Sequence, residues 1–545
     1  MSTALTFLAF LSLLPPLIMG FLIVSTLWPK GRGILSDLAL KCCLSVGFGF
    51  GASSCLVFVW MMVVGQLNPG MLVSELMLVV GLGALLAWKE RGSIPTAADR
   101  PESVSGSWFH SPYLLRIAVG AAAVSGAIRF WYLSRLDPHG QFDAFAIWNL
   151  RARFLYSGGR YWKNFIYVTE PDYPLLVPVS IARSWEFIGR ETQLIPIAIG
   201  LLFTFATIGV VLVSISRLRG ERQGLLAGIV LLGTPFLIRH GASQYADVPL
   251  SLFFVATVAL LFFHAESPSQ TNFLIMAGMV AALSAWTKNE GIFFLVSLFS
   301  LHFVVTTLVK GRKSWVSEVV ALLMGAVPVG VVIFIYKVCL ASSNDVISAS
   351  GPGSIVHKLL DISRYHTVLT HFKRELFSFG EWNLTFGIAM PFLLFFYLLL
   401  LGASVKKKDV AATSIAVLLP VFMMVGYFFV YILSPFDLTW HLNSSLNRLL
   451  LQVWPLAIFA YFAIVRAPEQ AVMTHMDPPR TQELRDSGAF DASSKNGTRR
   501  VRRSSGQTQK SLNVRCCPKI SASVRWSQWV DAVLRSNPTC IENKG

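Results

Sequence analysis

Apolar residues run in long, nearly uninterrupted blocks along this chain, without the three-to-four spacing of a surface helix or the alternation of a half-exposed strand. The blocks fall near 4–28, 38–65, 71–88, 113–133, 193–215, 224–239, 248–264, 273–288, 291–309, 316–338, 384–403, 411–433 and 449–466. Most reach the length needed to cross a hydrocarbon core about 30 Å thick, while the shortest are marginal. Backbone groups in lipid must be satisfied within their own segment, so helix is the structure such blocks adopt. The pattern predicts an all-α integral membrane protein, a polytopic bundle of about thirteen transmembrane helices.

The polar stretches between the blocks set the orientation. Lys30 and Arg32 follow the first block, Lys89 and Arg91 the third, and Arg217, Arg219 and Arg222 the fifth. Lys310, Arg312 and Lys313 follow the ninth, and Lys406, Lys407 and Lys408 the eleventh. Strict alternation brings every one of these clusters to one side, which the positive-inside rule makes cytoplasmic. The amino terminus is then expected outside and the carboxy terminus in the cytoplasm. The first block, Ala4 to Trp28, has no basic leader and is long enough to span, so it reads as a helix, not a cleaved signal. Three regions follow: helices and a cytoplasmic loop in 1–112, a core in 113–466 with outer loops 134–192 and 339–383, and a basic tail in 467–545. Within the first outer loop, Asp143 to Tyr156 reads as helix. The apolar stretch 174–189, interrupted by Arg183 and Glu186, is expected to lie along the membrane interface. The tail, with Arg499-Arg500-Val501-Arg502-Arg503 and many serines, reads as disordered and lipid-facing.

Composition agrees. Charged residues make up 14% of the chain and hydrophobic ones 54%, against about 25% charged in soluble proteins; the mean hydropathy is +0.59. The net charge of +17 sits in short loops and the tail, which points to membrane lipids and away from nucleic acid. The seven cysteines form no CxxC pair, so neither a zinc site nor a redox motif is expected.

Polar residues that break the pattern gather at the outer ends of the predicted helices: Asp143, Glu170 with Asp172, Asp247, Lys288 with Glu290, and Asp437, His441 and Arg448. A site at the membrane–water boundary suits a lipid-linked substrate whose phosphate is met by Lys or Arg and whose acceptor hydroxyl is met by a carboxylate. Each residue also has a plainer reading. Asp143 can cap the helix that follows it. Asp172, in Glu170-Pro171-Asp172-Tyr173-Pro174, can be turn chemistry. Asp247 stands at a helix start, Lys288 can snorkel to the headgroups, and His441 and Arg448 lie seven apart on one predicted helix. No metal-ligating set is evident; a divalent metal has no support in the sequence, and no cofactor is identified.

In order and sidedness these segments resemble the GT-C superfamily of membrane glycosyltransferases, and bacterial relatives of protein O-mannosyltransferases and the lipid A aminoarabinose transferase in particular. The resemblance covers roughly 113–466. Gln141-Phe142-Asp143-Ala144-Phe145 resembles the loop-one aspartate motif and Asp172-Tyr173-Pro174-Leu175 the proline-rich motif. Tyr245-Ala246-Asp247-Val248-Pro249-Leu250 resembles the acidic-x-Pro-Leu helix start. Ala285-Trp286-Thr287-Lys288-Asn289-Glu290-Gly291 resembles the Thr-Lys-x-x-Gly segment, and Asn447-Arg448-Leu449-Leu450 the Arg-led final helix. Two departures stand out: the family's Asp-Glu pair is Asp143-Ala144 here, and its double proline is reduced to Tyr173-Pro174. The resemblance implies a GT-C-like bundle in a bacterial inner (plasma) membrane, taking sugar from a polyprenyl-phosphate-linked donor and inverting the anomeric centre on a lipid, glycan or protein acceptor. Asp143 would be the base. Asp172, Tyr173, Asp247, Lys288, Glu290, His441 and Arg448 would bind substrate. The alternatives are an O-antigen ligase or polymerase, relying on Arg and His, and a transporter or flippase, which would carry paired charges at the midplane.

Overall fold

Glycine turns and proline breaks divide the apolar blocks into discrete helices in the computed structural model, which describes residues 3–29, 34–91, 112–165, 170–342, 352–382 and 389–468. The tail, Lys30 and Arg32 lie outside the described residues. Met1–Pro478 forms one compact unit. It begins with α1 (Thr3–Leu27), α2 (Ile34–Val64), α3 (Pro69–Arg91) and α4 (Tyr113–Leu136). The first outer loop carries a π-helical turn (Ala144–Trp148) that runs into α5 (Asn149–Ser157), then α6 (Trp162–Phe165) and α7 (Leu176–Ile188). Next come α8 (Leu194–Arg219), α9 (Glu221–Leu232), α10 (Pro235–Ala242), α11 (Asp247–Glu266), α12 (Asn272–Thr287), α13 (Asn289–Lys310) and α14 (Arg312–Cys339). The second large loop holds α15 (Pro352–Leu360) and α16 (Ile362–Ser378), and α17 (Met390–Leu401), α18 (Val410–Leu433) and α19 (Leu438–Ile464) complete the bundle. Among the described residues the only β pairing is an isolated bridge, Ala403 to Val465.

Among the described residues ten helices are long and apolar enough to cross a membrane, or eleven if α9 and α10, bent by 61°, count as one span. Two further apolar helices, α12 and α17, are shorter. The protein is a polytopic all-α membrane protein, and length and composition alone yield ten or eleven spans where the sequence suggested about thirteen. Gly220 and Gly311, with φ of 104° and 91°, let α8 turn into α9 and α13 into α14 within a single residue.

At the centre stands α11, whose apolar window is completely buried. It is hydrophobic all round because α8, α12 and α19 cover it on every side. The basic clusters gather at one end of the bundle: Arg217 pairs with Asp37, Arg219 with Asp409, Lys310 with Glu318, and Lys406 and Lys408 with Glu266 at the end of α11. Asp247, at the start of α11, marks the opposite end.

One local reading gains detail and another changes. Residues 174–189, expected along the interface and not across the membrane, form α7, which is not among the candidate spans and whose residues Leu176–Trp185 are all buried. The three N-terminal helices enclose it in protein. The last helix begins eleven residues before the predicted 449, at Leu438, because Asp437 caps it: its carboxylate accepts from the Trp440 N–H at 2.8 Å. Arg448 therefore lies inside α19, in its third turn, and not at its start.

Candidate active site

The site grows from a break between helices. Thr287 ends α12, Lys288 adopts an extended backbone (φ −151°, ψ 163°), and Asn289 starts α13. Gly291 permits the sharp reversal, since a Cβ there would sit 1.9 Å from the Ser284 carbonyl oxygen. The reversal turns the Lys288 side chain inward. It is 3% exposed, so it does not snorkel. Its ammonium donates to Asp247 Oδ1 at 2.9 Å and lies 2.9 Å from Glu290 Oε1.

Asp247 is fully buried and does not cap α11. Besides Lys288, its carboxylate accepts from Gln452 Nε2 (2.6 Å) and Arg448 Nε (3.4 Å) and meets His240 Nε2 at 3.1 Å. A buried carboxylate requires this density of partners, because an unpaired one would change protonation state instead. Arg448 then reaches outward: its Nη2 lies 2.5 Å from Asp143 Oδ2, and its guanidinium stacks 4.6 Å from the Tyr245 ring centroid. Tyr245 in turn accepts from the Asp143 backbone N–H at 3.2 Å, and burial raises its hydroxyl pKa, keeping it neutral. Asp143 makes no side-chain capping bond, so its carboxylate faces Arg448 and not the helix it precedes. The π-helical turn behind it is a feature that recurs at functional sites.

A second group adjoins the first. Asp172 Oδ2 accepts from Asn289 Nδ2 at 2.6 Å, and Lys337 donates to both the Asp172 carbonyl and Asn289 Oδ1. Tyr173 stacks on Trp148 with ring centroids 5.6 Å apart, and its ring lies 5.7 Å from the Lys288 ammonium. Its carbonyl accepts from Arg151 and Tyr336, both at 2.7 Å. Burial raises the Tyr173 pKa as well.

The structure thus brings together Asp143, Asp247, Lys288, Glu290 and Arg448, with Asp172 and Tyr173 alongside. It does not bring His441 in: this residue lies two turns before Arg448 on α19, shares a 2.8 Å hydrogen bond with Ser434, and packs on Tyr431 and Phe436. Sequence reasoning missed His240, Tyr245, Gln452, Asn289, Lys337 and Arg151. Gln452 had a usable signal, since it is polar, four residues after Arg448, and set in an apolar run.

Among the described residues no cluster of three or more His, Cys, Asp or Glu is arranged to hold a metal. At the position of the family's second acid, Ala144 is fully buried, and a Cβ on Gly140 would lie 2.5 Å from its methyl group. A carboxylate has no room there, so the residues present do not fit a metal carried by that acid. Glu290 Oε2 is buried without a partner among the described residues, an open acceptor beside Lys288.

Residues 172–336 match the family model described as dolichyl-phosphate-mannose-protein mannosyltransferase, a family of the GT-C superfamily. The match takes in Asp172, Tyr173, Asp247, Lys288 and Glu290. No curated protein and no solved structure matches the chain.

Proposed function

Because residues 172–336 match a family of GT-C membrane glycosyltransferases, we propose that the chain is a transferase of that type and moves a sugar from a polyprenyl-phosphate carrier to an acceptor hydroxyl at the extracytoplasmic face. The observation that carries this reading is the position of Arg448, one guanidinium in contact with both Asp143 and Asp247. Asp143 takes the proton of the acceptor hydroxyl as its oxygen attacks the anomeric carbon. The bond from that carbon to the phosphate oxygen breaks, its electron pair stays on the phosphate, and the anomeric centre inverts.

Arg448, with 17% of its side chain exposed, meets the phosphate and stabilises the charge that develops on it. Lys288 adds positive charge from behind, held between Asp247 and Glu290. In the resting site Arg448 occupies the base. A donor phosphate that draws the guanidinium away frees the Asp143 carboxylate, so donor binding precedes deprotonation. Asp172, Tyr173 and the open oxygen of Glu290 orient sugar or acceptor hydroxyls. The inner membrane of a bacterium, with the amino terminus outside and the tail in the cytoplasm, is the orientation that puts this end of the bundle outward.

The experiment is sugar transfer by the purified chain in proteoliposomes, from labelled polyprenyl-phosphate sugars to lipid, glycan and peptide acceptors. Transfer with inverted anomeric configuration supports the reading. Carrier-mediated movement of the donor without bond cleavage overturns it.

A further inference from the structure

The three N-terminal helices lie outside the region that matches the family, yet a fully buried charge pair ties them to α7 of the outer loop. Pro15 and Pro16 lie inside α1. Proline has no N–H, so the carbonyls four residues earlier, of Leu11 and Ser12, lose their helical partners. In lipid an orphaned carbonyl must be satisfied from elsewhere. Arg183 of α7 does this, donating through Nη1 to the Ser12 carbonyl. Its other nitrogens grip Glu75 of α3, with Nε 2.9 Å from Oε2 and Nη2 closing the fork. Ser53 of α2 donates to the remaining carboxylate oxygen at 2.6 Å. Arg183 and Glu75 are each 1% exposed. One point therefore joins α1, α2, α3 and α7.

The helix held at that point matters because of what precedes it. α7 begins three residues after Tyr173, and Asp172 and Tyr173 line the site. We propose that the N-terminal helices are a positioning clamp for the outer loop, with Arg183–Glu75 as the fastening that fixes Asp172 and Tyr173 against Asn289 and Lys288. Both are positioning residues, since neither touches the reacting atoms. The proposal rests on the function proposed above for its kinetic arm only.

Two measurements on the full chain in nanodiscs test it, with Glu75→Gln, Glu75→Asp and, as a milder change, Ser53→Ala. The first is hydrogen exchange read peptide by peptide. Glu75→Gln is expected to accelerate exchange in 170–188 by about tenfold and leave α11 unchanged. The second is transfer kinetics: kcat/KM is expected to fall about tenfold, because an ångström of misplacement costs up to about a hundredfold. Glu75→Asp, which keeps the charge, is expected to recover most of both effects. If Glu75→Gln does not fold, Ser53→Ala gives the same pattern at smaller amplitude. Unchanged exchange in 170–188, equal acceleration in all helices, or wild-type kinetics despite loosened exchange each overturns the clamp. Loosened exchange confined to 170–188 in a chain that transfers no sugar removes the transferase reading and leaves the clamp standing.

Discussion

Replacing Asp143 by asparagine separates chemistry from stability more cleanly than any other change at the site. The side chain keeps its shape and its place beside Tyr245, but it can no longer accept the acceptor's proton. General-base assistance is worth about 10²–10⁴-fold, which corresponds to about 2.7–5.5 kcal/mol on the barrier. The folded state loses far less. Asp143 is 21% exposed, and Arg448 still has Asp247 at 3.4 Å, so the lost ion pair is worth about 1 kcal/mol. In a chain of this size that lowers the melting temperature by about 2 °C. Asp247→Asn is the contrast. Its carboxylate is fully buried and holds Lys288, Arg448 and Gln452, and removing one side of such a pairing costs about 3–5 kcal/mol. Initial rates from labelled donor, alongside thermal unfolding of the same preparations, place the two variants in opposite quadrants. Asp143→Asn that folds normally and transfers sugar within about threefold of wild type would falsify the base assignment.

Arg448→Lys keeps the charge but loses the fork that spans Asp143 and Asp247; donor KM is expected to rise about tenfold in a titration of the carrier-linked sugar, reflecting about 1.4 kcal/mol. Gly291→Ala pushes a methyl group into the Ser284 carbonyl, 1.9 Å away, so the α12–α13 reversal must open; about 1–3 kcal/mol of stability and most activity are expected to go, measured by unfolding and by transfer rate. His441→Asn is expected to leave transfer within about threefold, since His441 hydrogen-bonds Ser434 away from Arg448; a loss as large as that of Asp143→Asn favours an O-antigen ligase type of chemistry.

Much of the fold was legible because bilayer physics leaves few choices. Every predicted block carries a helix, and the sharing of one bundle end by Asp143, Asp247, Lys288 and Arg448 followed from alternation alone. Failures came where a side chain overrode the hydropathy signal. Asp437 looked like one more polar residue of an outer loop, yet as a cap it extends α19 by eleven residues and puts Arg448 inside the helix. Arg183 looked like a mere interruption of the apolar stretch 174–189; its partner Glu75 is 108 residues away, and nothing local announces such a pairing. His240 stayed hidden for a different reason: Asp247 is only seven residues on, but the two face each other only across the α10–α11 turn.

On the proposed mechanism, the charges at the site also explain why Arg448, and not Lys288, is the group that moves. Three carboxylates, Asp143, Asp247 and Glu290, face two permanent cations, Lys288 and Arg448. A phosphodiester entering this set adds negative charge to an already negative cluster, so it needs a cation that can change partners. Lys288 cannot do so cheaply, because at 3% exposure its departure would strand Asp247 in a low-dielectric interior. Arg448 can: leaving Asp143 strands only a carboxylate with access to water, and the carboxylate so released is the one proposed to take the acceptor's proton. On that mechanism the asymmetry in burial between Asp143 and Asp247 suits them to different work, one to exchange partners during turnover and the other to hold Lys288 and Arg448 in register while that exchange occurs.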